Sequence, residues 1–264
     1  MSQIFRTLAG GPLLPAVLTI CLLLLAPRDC RALTAQVTPA AVPITFTYHG
    51  AELKISGDSA VDDDIIVKVS SPAADVEMKF KDKVAGLFWM KKGSLEFKGV
   101  PGVYLLATSA ALDSLLPPQI LRRNMLGLDA VVAGARVEND GGGEADGKWL
   151  EEFVRFKRHE MVYAVQEGTV VRRHGPTSNA YEVTVAWPFQ APPGTYDIEV
   201  LAVRDGRITE RTATSFVVER KGVVAALSKM AIDQAALYGI MAIVIAMAAG
   251  FAVGAIFKKG GGSH

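Results

Sequence analysis

The sequence predicts a mainly β protein: an immunoglobulin-like β-sandwich with a helical insert, followed by one C-terminal transmembrane helix. Three observations carry this. Short apolar–polar alternations recur at roughly ten-residue spacing over residues 44–107, the pattern of a sandwich. The period turns helical over 117–165 and reverts to alternation up to residue 220. Residues 235–257 then carry no charged side chain. At 1.5 Å per residue they make a helix of roughly 35 Å, enough to cross a bilayer with some tilt.

In chain order, residues 1–35 read as a secretory signal: one early cation, Arg6, an apolar run over 13–26, and small residues in "LTA" or "CRA" as cleavage sites. The alternative is an uncleaved anchor, but Pro12 and Pro15 break the run and it is short for a span. Both cysteines, Cys21 and Cys30, lie within this segment. Its removal leaves no thiol, and with that no disulfide framework, thiol nucleophile or redox pair.

Residues 36–116 form the N-terminal β lobe, with strand-like runs "ITFTY", "ELKIS", "DIIVKV", "VEMKF", "GLFWM", "SLEFK" and "VYLLA". Alternation places Leu87 and Trp89 in the core, with Trp187 further on. Residues 117–165 are the helical insert: Pro117-Pro118 open a short helical pattern, and Trp149, Leu150, Phe153, Val154, the Lys157 stem and Met161 share a helix face. A polar loop, "ENDGGGEADGK", lies between them. Residues 166–220 supply four more strands, too few to bury two faces alone, so they must pair with the helix, the first lobe or both. Whether the two lobes make one sandwich or two stays open. Residues 221–234 read as an amphipathic juxtamembrane helix, and 258–264 as a cytoplasmic tail. Lys258 and Lys259 follow the span directly, and Tyr238 takes the outer interface.

With 28 Lys plus Arg against 27 Asp plus Glu, net charge recruits no nucleic acid. Motifs for chemistry fall short one by one. Gly142 to Lys148 has the phosphate-loop spacing, but Trp149 replaces the magnesium-binding hydroxyl and Glu144 and Asp146 repel phosphate. The same loop, as a calcium site, lacks the turn glycine at Ala145. His159 and Glu160 begin a zinc helix motif that Tyr163 ends. The "GDS" at Gly57 to Ser59 is a turn without a nucleophile elbow. Asp62, Asp63 and Asp64 read as a solvated strand start, with cation binding as the alternative. No cofactor or metal site is expected. Arg155, Arg158 and Arg172 are the candidate site for a small oxyanion, through charge-assisted hydrogen bonds, against a solvated helix face. In the span, Ala242, Ala246, Gly250 and Gly254 make a stripe of small residues suited to helix packing.

"KVAGLFWMKKGSLEFKGVPGVYLLAT", "PPGTYDIEVLAVRDGRI" and "LYGIMAIVIAMAAGFAVGAIF", in that order behind a signal peptide, resemble the alphaproteobacterial transmembrane protein family Alph_Pro_TM. The resemblance covers about residues 44–257 and implies the same topology. It lends no catalytic residues. Members are often encoded beside permeases of the sulfite-exporter type, which implies a transporter as partner. The expected function is a non-enzymatic accessory or binding module on the inner membrane, single-pass, with its N-terminal domain periplasmic and its C-terminus cytoplasmic. Its partner through the span would be another membrane protein or a second copy. The alternative is a membrane-tethered enzyme or oxyanion-binding component of sulfur metabolism.

Overall fold

A computed structural model describes residues 32–84, 88–139, 148–175 and 178–259. Before the insert run β1 (Gln36–Thr38), β2 (Ala41–Ile44), β3 (Ala51–Ser59), β4 (Asp64–Ser70), β5 (Ala73–Val84), β6 (Phe88–Pro101) and β7 (Tyr104–Thr108). Helices α1 (Leu112–Leu115), α2 (Pro118–Arg123) and α3 (Leu128–Val132) follow, then β8 (Arg136–Asn139), α4 (Lys148–His159) and β9 (Tyr163–Gln166). The chain closes with β10 (Val171–His174), β11 (Asn179–Trp187), β12 (Gly194–Arg204), β13 (Arg207–Arg220), α5 (Gly222–Asp233) and α6 (Ala235–Lys259).

The strands of the two halves interleave. One sheet runs β1-β3-β11-β10 and a second β2-β13-β12-β4-β7-β9. β3 pairs with β11 from Ala51↔Trp187 to Ser59↔Asn179, and β4 with β12 from Asp64↔Val203 to Ser70↔Asp197. Three of the four late strands, β11, β12 and β13, therefore find partners in the first half, and β10 joins through β11. Inward alternation makes the core. On β11, Asn179, Tyr181, Val183, Val185 and Trp187 are buried while Ala180, Thr184 and Ala186 are exposed. Trp187 meets Tyr196 and Phe216 of the second sheet edge-on, with ring centroids 4.5 and 4.8 Å apart, so the two sheets face each other.

The second sheet is covered on its other face as well. All five residues of β7 are buried, as expected of a strand between two layers. The Tyr104 hydroxyl donates to the Met125 carbonyl and accepts from Gly127 N–H, each at 2.9 Å, which ties the α2–α3 turn onto the sheet. Phe153 of α4 is 1% exposed, stacked on Phe97 and edge-on to Tyr163. Lys157 lies with its ammonium 5.7 Å from the Phe153 ring centre, and burial holds its pKa below the usual lysine value.

Some expectations move. "ITFTY" is not a strand: β2 ends at Ile44, Tyr48 N–H turns back to the Thr45 carbonyl, and Phe46 stands 88% exposed. "GLFWM" and "SLEFK" lie largely on one long strand, β6. Met161 falls beyond the end of α4, at φ 57° and 60% exposed, so it leaves the helix face. Trp187 is a core residue; Leu87 and the Trp89 side chain, like the loop at 140–147, lie outside the described residues. α6 includes a 21-residue stretch, Ala235–Ala255, apolar and long enough to cross a membrane, with none of its most apolar window buried in the fold.

Candidate functional site

The sequence-predicted cations sit in two different settings. Arg155 pairs with Glu152 one turn away on α4 at 2.6 Å. Arg155 and Arg158 line one hollow of about 390 Å³, which they share with Asp129 and Glu151. Arg172 stands elsewhere, on β10, where its guanidinium holds the Asp64 carboxylate and the Asp63 carbonyl, both at 2.9 Å. The hollow that Arg155 and Arg158 line does not include Arg172 among its walls.

Arg172 belongs to an ion-paired cluster at one end of the sandwich, where the β3–β4 turn meets the β12–β13 hairpin. Asp63, only 2% exposed, takes both Nε and Nη2 of Arg204 on one oxygen at 3.0 and 2.8 Å. Ser109 donates to Asp64 at 2.8 Å and accepts from Ile65 N–H at 3.0 Å. The acidic run is thus not a solvated strand start at Asp63: two arginines draw it inward. Burial raises the Asp63 pKa, and Arg204 offsets part of that rise. A second charged group lies across the helix-covered sheet face. Glu199 binds Lys68 and Arg211, the latter at 2.7 Å, while Arg211 also donates to the Asn124 side chain at 2.7 Å. Among the described residues no group of three or more His, Cys, Asp or Glu is placed to hold a metal.

A largely apolar concave surface lies between strand edges. β10 pairs with Asn179 to Glu182 of β11, so among the described residues Val183 to Trp187 have no partner strand on that side. β9 is the terminal strand of the second sheet. Between them lies a groove of about 310 Å³, walled by Leu105 and Ala107 of β7, Tyr163 and Val165 of β9, and Val185 of β11, with Arg158 at its side. It shares Met161 and Ala186 with a second hollow of about 480 Å³ bounded by His49, Glu52, Trp187 and Phe189. Two buried polar atoms, the Trp187 indole nitrogen and the hydroxyl of Tyr48, the residue before His49, have no hydrogen-bond partner among the described residues. Sequence reasoning did not find the groove, because the gap depends on how short β9 and β10 are. Of its residues the sequence marks Arg158 alone as a binding candidate, with Met161 read as helix face and Tyr163 as the end of an incomplete zinc motif.

In the span, Gly250 and Gly254 have nothing within 4 Å of the place where a side chain would begin, so the stripe with Ala242 and Ala246 has room for a close neighbour. No curated protein and no solved structure matches this chain. Its family is clear: residues 32–259 match the family model described as "Putative transmembrane protein (Alph_Pro_TM)", and the chain belongs to that family.

Proposed function

We propose that this is a single-span, membrane-anchored accessory protein that presents its β-rich domain in the periplasm, binds a membrane partner such as a transporter, and carries out no reaction of its own. The observation that carries this reading is the division of labour among the polar groups. Arg172, Arg204, Lys68 and Arg211 are each committed to carboxylates that hold strands and turns together. The groove between the strand edges is instead lined mainly by apolar side chains, which suits an extended chain segment rather than a reacting small molecule. The stripe Ala242, Ala246, Gly250 and Gly254 would be the partner's packing face within the bilayer.

Two measurements test it. Alkaline phosphatase fused after Glu219 should be active and after Lys259 inactive; the reverse would overturn the orientation. A photoreactive side chain at Ala186, with full-length protein in native membranes, should crosslink one polytopic protein. Gly250→Leu with Gly254→Leu should weaken that crosslink without loss of insertion. Turnover of a substrate by the purified domain would defeat the non-enzymatic reading.

The oxyanion alternative has one favourable observation: Arg158 faces both the α4 hollow and the groove. If it binds sulfite or sulfate, millimolar anion should raise the unfolding temperature beyond matched chloride, and Arg158→Ala should abolish the difference. With Asp129 and Glu151 beside the arginines, the expected result is equal shifts in all salts.

A further inference from the structure

The polypeptide leaves the sandwich for the membrane beside two exposed phenylalanines. β13 ends at Arg220, which pairs with Ile44, and Lys221 N–H donates to the Ile44 carbonyl at 3.0 Å. The loop 45–50 starts at the next residue and carries Phe46, 88% exposed. The loop 188–193, which starts β12 from the same end, carries Phe189, 56% exposed. The loops touch: Gly50, at φ +112°, lies so close to the backbone of Trp187 to Phe189 that a Cβ would stand 2.8 Å from the Trp187 carbonyl oxygen. Both phenylalanines therefore belong to the end that faces the span.

The intervening α5 makes the same point. Val223, Leu227 and Ile232 are exposed, and the helix has no buried residue at all. Twelve helical residues reach at most about 18 Å, so the sandwich cannot stand far from the bilayer. Lys229 and Asp233 are its only charged residues, whereas Arg220 and Lys221 lie exposed at the exit, Lys221 paired with Glu219 at 2.9 Å.

We propose that this end of the sandwich rests on the lipid surface, with Phe46 and Phe189 in the interfacial layer and α5 lying along it. The occupant is the bilayer rather than a protein because the surface is continuous with the chain's own span. Exposed Phe and aliphatic side chains beside basic residues are what a lipid interface accepts. The inference requires only that α6 crosses the membrane and is independent of the accessory reading.

The test uses the full chain with Cys21→Ser and Cys30→Ser, reconstituted in phosphatidylcholine–phosphatidylglycerol vesicles. Single cysteines at 46, 189 and 62 carry an environment-sensitive dye; Asp62 is exposed at the opposite end. Emission at 46 and 189 should shift to the blue and fall when spin-labelled lipid is added, with neither change at 62. Adding Phe46→Asp and Phe189→Asp should abolish lipid quenching of a dye at 47. Three outcomes would overturn the proposal: probes at 46 and 189 that behave like the one at 62, as on an upright α5 stalk; a blue shift without lipid quenching, which means a second copy or another protein covers the patch; and quenching at 47 that survives the aspartates.

Discussion

The two ends of this sandwich are finished in opposite ways. At the far end, the β3–β4 turn and the β12–β13 hairpin are closed by charge: Asp63 on Arg204, and Asp64 on Arg172 and Ser109. At the end from which the span departs there is an aromatic plug of Trp187, Tyr196 and Phe216, with Phe46 and Phe189 left outside it. Water can solvate the rim of an ion-paired end, so charge is a workable closure there. A surface held against lipid has no such solvent, and apolar closure is the cheaper arrangement.

The largest effect should come from removing the plug. Trp187 is 2% exposed and in contact with rings of the facing sheet, so Trp187→Ala should cost about 3 to 5 kcal/mol, read as a lowered denaturation midpoint of the full chain in detergent. An unchanged midpoint would mean that the aromatic end does not bear on stability, and the comparison would fail. Part of this was legible in advance. Alternation in "AYEVTVAWPF" assigns Trp187 to a strand, and the run without charge after Gln234 defines the span. What alternation cannot supply is the partner. The pairing of β3 with β11 joins residues more than a hundred positions apart, and period-two patterns carry no address.

The ion-paired end should respond less, and in a pH-dependent way. Asp63→Ala leaves Arg204 without its partner, but that guanidinium is 41% exposed and recovers water, so the loss should be about 1 to 3 kcal/mol. Native Asp63 binds its proton more tightly than the unfolded chain does, because burial raises its pKa above about 3.8. Its contribution therefore falls as pH rises from about 3.8 through the raised native value. Asp63→Asn, neutral and able to hydrogen-bond, should cost less than Asp63→Ala and should flatten that slope in urea titrations. A slope of the opposite sign would mean that Arg204 outweighs burial.

This end also shows why the candidate site was harder to read than the fold. In sequence, Asp62, Asp63 and Asp64 are three like charges at a strand start, and Arg172 is one of several cationic pairs. Arg172 and Arg204 reach the run from β10 and β12, so only the tertiary pairing shows that an apparent cation site and an apparent anion site neutralise each other. The groove was invisible for a related reason. It exists because β9 and β10 have four residues each and leave longer neighbours uncovered, and short strands give almost no periodic signal.

The smallest expected effect sharpens the comparison most. "ITFTY" alternates as a strand should, and a phenylalanine at its centre would ordinarily be read as core, where truncation costs about 3 to 5 kcal/mol. The chain instead leaves the sheet after Ile44, and Phe46 is 88% exposed. Phe46→Ser should then change stability in detergent by no more than about 0.5 kcal/mol. An exposed phenylalanine that contributes nothing to the fold is free to serve a contact beyond it. Were Phe46→Ser instead to cost as much as Trp187→Ala, the loop would be folded inward, and the two ends would no longer differ in what they offer to the membrane.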